Sequence, residues 1–206
     1  MPRPSVREQL IDAALEVFYR EGFHASGIER VLAQAGVSKM ALYRHFRSKD
    51  ELILAALRRR DEVFRHWLMT TVEQAATTPE ARLLAVFDLL ASWFRGEAFK
   101  GGRFCGCMFL NAAAEYQSGD DPIHAFAAEH KRLITDDLER LALAARAAEP
   151  RHLAERLAIL IDGAIATAHV TGRPEAAHHA REMARLVIRE ALDRKPRPAE
   201  AAAAPA

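Results

Sequence analysis

An all-α fold of about nine helices, with a small helical head and a larger helical body, is what this chain predicts. Three observations carry that expectation. Apolar residues recur at spacings of three and four along most of the 206 residues, as in helices with one buried face. The punctuation between such stretches is that of helix starts and stops, with Ser38, Ser48, Pro79 and Pro150 at openings and Gly22, Gly36 and Gly96 at ends. Near the N-terminus, two short periodic segments lie about three residues apart, so their helices must cross steeply.

The head comes first. Residues 6–21 form a helix whose stripe is Leu10, Ala14, Val17 and Phe18, stopped by Gly22. Ser26 and Glu29 stand at capping-box spacing, so a second helix is expected from Gly27, burying Ile28, Val31, Leu32 and Ala35 and ending at Gly36. Ser38 is a fresh N-cap for a third, Lys39 to His45. Leu42 and Phe46 face inward from it, which leaves Lys39, Met40, Tyr43, Arg44 and His45 pointing elsewhere. Two rings and two cations on so short a helix suit contact with phosphates and base edges. A second capping box, Ser48 to Glu51, opens a long helix with Lys49 in its first turn. A cation is poorly placed against a helix N-terminus unless it and the free N–H groups face a phosphate.

The stretch AGVSKMALYRHFRSKDEL, preceded by LIDAALEVFYREGF, resembles the DNA-binding signature of the TetR family of bacterial transcriptional regulators. That signature runs AGVS, a variable triplet, LY, a variable residue, HF or YF, a variable residue, SK, then acidic and leucine, and the likeness spans roughly residues 7–57. The resemblance implies a non-enzymatic regulator that binds double-stranded operator DNA through a helix-turn-helix head, residues 1–47. A helical body, residues 48–194, would bind a small-molecule effector and dimerise, and residues 195–206 would form a disordered tail. The expected DNA-facing set is Arg7, Ser26, Gly27, Ser38, Lys39, Met40, Ala41, Tyr43, Arg44, His45 and Lys49. One departure is Ala41, standing where the family often has a threonine that touches the DNA backbone; losing that contact weakens affinity more than it alters sequence preference. Arg3 and Arg7 are placed to lie along a phosphate strand or in a minor groove, as an N-terminal arm can.

Charge is distributed in keeping with this. The net charge is only +1, but residues 1–60 hold eleven Lys/Arg against seven Asp/Glu, and the rest eighteen against twenty-one. The basic portion coincides with the motif. No apolar run is long enough to cross a bilayer and the N-terminus lacks an apolar signal core, so the cytoplasm is the expected address, with no membrane partner. Two cysteines at a Cys-Gly-Cys spacing make no disulfide framework.

In the body, the helix from Ser48 is expected to run through Ile53, Leu57, Phe64, Trp67 and Leu68 to about Ala76, a rod shared by head and body. The next carries Leu83, Phe87, Leu90, Trp93 and Phe94 between Pro79 and Gly96. GEAFKGGRFCGC is a glycine-rich connector; with no preceding strand it is not a phosphate loop. Residues 107–117 resume as a short helix in which Asn111 and Glu115 are four apart on one face. A long helix follows from Ile123 to Ala147, with His130 between Phe126 and Ile134 on the inward stripe. In the family resembled, the Cys107–Gln117 segment often borders the effector pocket. The effector set implied is Phe64, Trp67, Phe87, Trp93, Cys107, Met108, Asn111, Glu115 and His130, lining a site for a mostly hydrophobic molecule.

The helix opened by Pro150 is apolar or small nearly all round, so it must be covered on nearly all sides. The last helix, 175–194, adds another apolar face. Too few helices remain to cover both, so a second copy of the chain is the natural partner, in agreement with the four-helix bundle that the resemblance implies. Leu157, Leu160, Gly163, Ala164, Ala168, Met183, Leu186 and Val187 are the expected interface.

Little chemistry competes. No nucleophile elbow, dinucleotide fingerprint or zinc spacing is present, no cofactor is expected, and His178, His179 and Glu182 read as a solvated helix face rather than a metal site. The alternative from a different class is a thiol-based redox or electrophile sensor acting through Cys107, beside a glycine-rich segment with Arg103 nearby.

Overall fold

In a computed structural model, which describes residues 4–99 and 102–193, nine α-helices account for the regular structure of the described residues. They are α1 Val6–Glu21, α2 Ile28–Ala35, α3 Lys39–His45, α4 Lys49–Ala75, α5 Pro79–Phe94, α6 Met108–Glu115, α7 Pro122–Ala144, α8 Pro150–Thr171 and α9 Ala176–Asp193. The arm residue Arg3, Lys100 and Gly101 of the connector, and the tail 195–206 lie outside the described residues.

Caps explain most helix starts. Ser5 and Glu8 form the full reciprocal box on α1, with Glu8 N–H donating to Ser5 Oγ at 3.3 Å and Ser5 N–H to Glu8 Oε2 at 2.9 Å. Ser38, Ser48 and Thr78 accept from backbone N–H groups of α3, α4 and α5, and proline occupies the first turn of α5, α7 and α8. Two expected boxes are corrected. Gly27, not Ser26, is the N-cap of α2, without a side-chain bond; the Ser26 hydroxyl donates instead to Gly22 O at 2.7 Å. Glu51 accepts from Arg47 N–H at 2.7 Å rather than from Ser48 N–H, one residue further back than the box requires.

The helices share one continuous core. Leu10, Ala14, Val17 and Phe18 of α1 meet Val31 of α2, Leu42 of α3 and Leu52, Ile53 and Leu57 of α4, closing the head. Each buried leucine there contributes on the order of 2 kcal/mol by leaving water. Further along, α4 presents Phe64, Leu68 and Val72 to α5 and α7, so one rod of 27 residues belongs to both parts. At 1.5 Å per residue it is about 40 Å long. Helices α8 and α9 pack on each other and on α5 and α7 at the far side of the body.

Candidate DNA interface and effector cavity

The outer side of α3 is open to solvent. Met40 is 66% exposed and Tyr43 50%, both large apolar surfaces left uncovered by the chain's own packing. Arg44 and His45 are exposed beside them, Ser38 and Gly27 are exposed at the helix entries, and Ala41 is half-buried. The Lys39 ammonium pairs with Glu29 at 3.1 Å; both ends are exposed, so the pair is weak and readily exchanged for a phosphate or base partner. Arg7 lies over the Phe46 ring, 5.4 Å from its centroid, and Lys49 over Phe18 at 5.9 Å. Both charged groups therefore lie against aromatic rings of the head while their residues stay at least partly open to solvent. Ser26 is corrected as a DNA contact: it is buried and its hydroxyl is spent on the Gly22 carbonyl. Its place is to close the corner between α1 and α2.

The body encloses a cavity of about 60 Å³ between α4, α5, α7, α8 and the start of α6. Phe64, Trp93, Cys107, Met108 and His130 of the expected set line it. Four expected residues do not. Trp67 is half-buried outside it, against Phe64 and Phe99. Phe87 is fully buried in core packing away from the cavity wall. Asn111 donates from Nδ2 to Cys105 O at 3.2 Å, tying the connector onto α6 and bordering a wide cleft at the junction of head and body.

Glu115 is the fourth, and its position is the largest correction. Its carboxylate crosses to the head, accepting from Phe23 N–H at 2.9 Å and His24 N–H at 2.6 Å, with His24 Nδ1 at 3.0 Å. Gly22, at φ 87°, makes room: a Cβ there would stand 3.1 Å from Glu115 Oε1. Around this latch, His24 stacks on Tyr116 with centroids 4.7 Å apart. The Tyr116 hydroxyl reaches Asp50 at 3.4 Å, and burial together with the Asp50 charge pushes its pKa up to about 12. The Tyr19 hydroxyl adds a second tie, donating to Gly106 O and accepting from Cys105 N–H, each at 3.0 Å. Spacing alone could not separate a helix end turned to a pocket from one turned to another domain.

The cavity also contains groups that periodicity did not single out: Arg60, Phe109, Lys131, Thr135 and Asp162. The signal for Lys131 was its position next to His130. His130 stacks on Phe109, centroids 3.5 Å apart, and its Nδ1 meets Asp61 Oδ1 at 2.6 Å. Burial outweighs the Asp61 carboxylate and holds the imidazole pKa below its ordinary value. Behind it, Arg65 and Arg140 neutralise Asp61 and Asp137. Lys131 pairs with Asp162 and with the Cys107 thiol; burial works against its charge, yet these two partners leave its pKa raised.

No group of three or more metal-binding side chains occurs among the described residues, and no helix there is long and apolar enough to cross a membrane.

Comparison with known proteins agrees with this architecture. Residues 10–56 match the model of bacterial regulatory proteins of the tetR family, and residues 79–184 that of the tetracyclin repressor-like C-terminal domain. The HTH-type transcriptional activator FasR of Mycolicibacterium smegmatis is 52% identical over 59 residues, 29% of this chain and only 27% of that protein. The HTH-type transcriptional regulator YjdC of Escherichia coli is 24% identical over 77% of this chain and 81% of its own length. A solved TetR-family transcriptional regulator from Streptomyces coelicolor superposes with a TM-score of 0.81 at 30% identity, covering 91% of this chain and 96% of that one. With a helix-turn-helix head, a helical body and both halves of the family pattern in place, this chain belongs to the TetR family of DNA-binding transcriptional regulators.

Proposed function

We propose that the protein is a homodimeric repressor, released from its operator when a small, largely apolar molecule enters the cavity between α4, α5, α7 and α8. The observation that carries this reading is the course of α6. Its first residues, Met108 and Phe109, are cavity wall, and its last, Glu115, holds the backbone at the corner of the head. Eight residues, about 12 Å, separate the two ends. The cavity is far smaller than the 300–1,000 Å³ or so of ordinary ligand sites. A ligand must therefore displace its walls, and a shift of α6 pulls on the latch. Such a ligand moves the equilibrium only by the difference between its affinities for the two arrangements.

In this reading residues 1–47 are the reading head and 48–194 the body, with α4 common to both. Pairing uses α8 and α9. Ile159, Gly163 and Val170 on α8 and Met183 and Leu186 on α9 are exposed, and Leu160 and Val187 are half-buried beside them. Leu157, Ala164 and Ala168, expected at the interface, are instead buried within the protomer, because the inner face of α8 is spent on its own chain. Ile159 and Val170 take their place. Two α3 helices held in a pair can then meet successive major grooves, about 34–36 Å apart.

The test imitates a ligand. Ala158→Phe adds a ring at the cavity wall, and the folded variant is expected to bind DNA fragments selected by the wild-type protein at least about tenfold more weakly. Unchanged affinity in a folded variant contradicts the coupling.

A second reading is supported by one contact. Cys107 lies in the cavity wall close to the Lys131 cation, whose pKa it helps to raise. On that reading the signal is an oxidant or electrophile acting on Cys107. Replacing Cys105 and Cys107 by serine separates the two: a response to a reversibly bound molecule persists, and a thiol response disappears.

A further inference from the structure

Of the charges around the cavity, only one lacks a counter-charge among the described residues. Lys131 is paired with Asp162. His130 is held towards its neutral form by burial, and Asp61 and Asp137 are matched by Arg65 and Arg140. Arg60 remains. It is only 7% exposed, lines both the cavity and the neighbouring cleft bordered by Tyr19, Trp93 and Phe99, and is paired with no carboxylate among the described residues. Its guanidinium carbon lies over the rings of Phe99, Tyr19, Phe64 and Trp93 at 4.6, 5.2, 5.5 and 5.6 Å.

Ring faces attract a cation but offer no lone pairs to its N–H groups. A guanidinium carries five such donors in a planar fork and does not give up its charge in proteins. A buried cation with unspent donors is costly unless something supplies the acceptors. The group that matches the fork is a planar carboxylate, bound through two parallel N–H···O bonds. Around it the wall is apolar: Leu68, Val86, Leu90, Ile134, Ile161 and Ile165.

We propose that the cavity binds a monoanionic organic acid with an apolar body, its carboxylate seated on Arg60. This rests on the reading of the cavity as the effector site and names the class of effector. One unmatched positive charge calls for one negative charge. A second anionic group would face the Asp162 and Asp61 carboxylates without a free cation. With about 60 Å³ of space, all but the shortest acids must displace a wall residue, and unbranched Met108 is the most adaptable of these. Arg60 sits on α4 beside Tyr19 of α1, so drawing its side chain towards a carboxylate acts on the junction between body and head.

The test uses the full chain and four probes, hexanoate, hexanamide, benzoate and benzamide, titrated calorimetrically at neutral pH. The acids are expected to bind about 10- to 100-fold more tightly than their amides, the range of charge-assisted hydrogen bonds. Arg60→Gln should abolish that ratio, and Arg60→Lys, which keeps the charge without the fork, should reduce it. Absence of binding by both acids, equal binding of acid and amide, or a ratio undiminished in either variant overturns the proposal. The wild-type ratio and the lysine variant keep the test intact if the glutamine variant does not fold. Failure of the effector reading looks different: acids bind through Arg60 but leave DNA binding unchanged. Release of DNA by acid and amide alike keeps the effector reading and removes the acid.

Discussion

Tyr43 and Met40 are large, apolar and exposed on a seven-residue helix, an arrangement that folding alone does not explain. Tyr43→Ala is expected to weaken binding to every DNA sequence alike, whereas Lys39→Ala or Met40→Ala should change which bases are preferred. Anisotropy titrations against selected and random duplexes distinguish the two patterns, and equal losses on both for the Lys39 variant would remove it from base reading. These side chains were legible in the sequence because the short helix has only Leu42 and Phe46 to bury. Ser26 was not, since a serine three residues before a glutamate fits a cap and a buried corner equally well, and only the tertiary position of Gly22 decides between them. His130 supports a prediction of a different kind. Its folded pKa lies below the ordinary imidazole value of 6.5, so the unfolded chain binds the proton more tightly. Its contribution to stability is complete above that value and is lost as pH falls through it towards the folded pKa. Urea unfolding at pH 7.5 and pH 5.5 should show a smaller pH-dependent loss in His130→Phe than in the wild type; an identical slope contradicts the assignment.

In the proposed function α6 is the element that joins sensing to reading, because one end lines the cavity and the other bonds the head. Glu115→Ala leaves two backbone N–H groups at the head's corner without their carboxylate, a loss of about 1.5–3 kcal/mol at a partly exposed site. The expected outcome is a folded protein whose α1–α2 corner exchanges amide protons faster, with Phe23 and His24 affected most. Hydrogen exchange at those two amides checks it, and unchanged protection would show that the latch carries no load. The helices themselves were largely legible, because stripes, caps and prolines act locally. Asn111 and Glu115 stood out as polar residues four apart on one face of a short helix, but which groups they meet is a long-range fact: the Glu115 carboxylate bonds Phe23 and His24, about ninety positions earlier in the chain. Arg60 was invisible for the same reason. It lies in a run of three arginines that reads as a solvated face, yet α4 turns the third of them inward among four rings.

At the scale of the whole molecule, the exposed apolar face of α8 and α9 calls for a second copy, and the reading head calls for the same thing. One short helix contacts too few base pairs to select a site alone. Leu186→Asp together with Met183→Asp places two charges on that face, and light scattering is expected to show the wild type as a dimer and the variant as a folded monomer. A dimer in both would move the interface elsewhere. That α8 and α9 carry more apolar surface than one chain covers was legible from the composition of α8; which of its faces is outermost was not, since small residues such as Ala164 and Ala168 pack as closely within a chain as between chains. The most direct measurement is footprinting of the wild-type protein on DNA fragments it selects from its own genome, with the number of bound chains counted in the same samples. Two protected half-sites centred about one helical turn apart, or a small multiple of it, occupied by an even number of chains, are predicted. A single uninterrupted site held by one chain, or protection no stronger than on random DNA, would contradict the account.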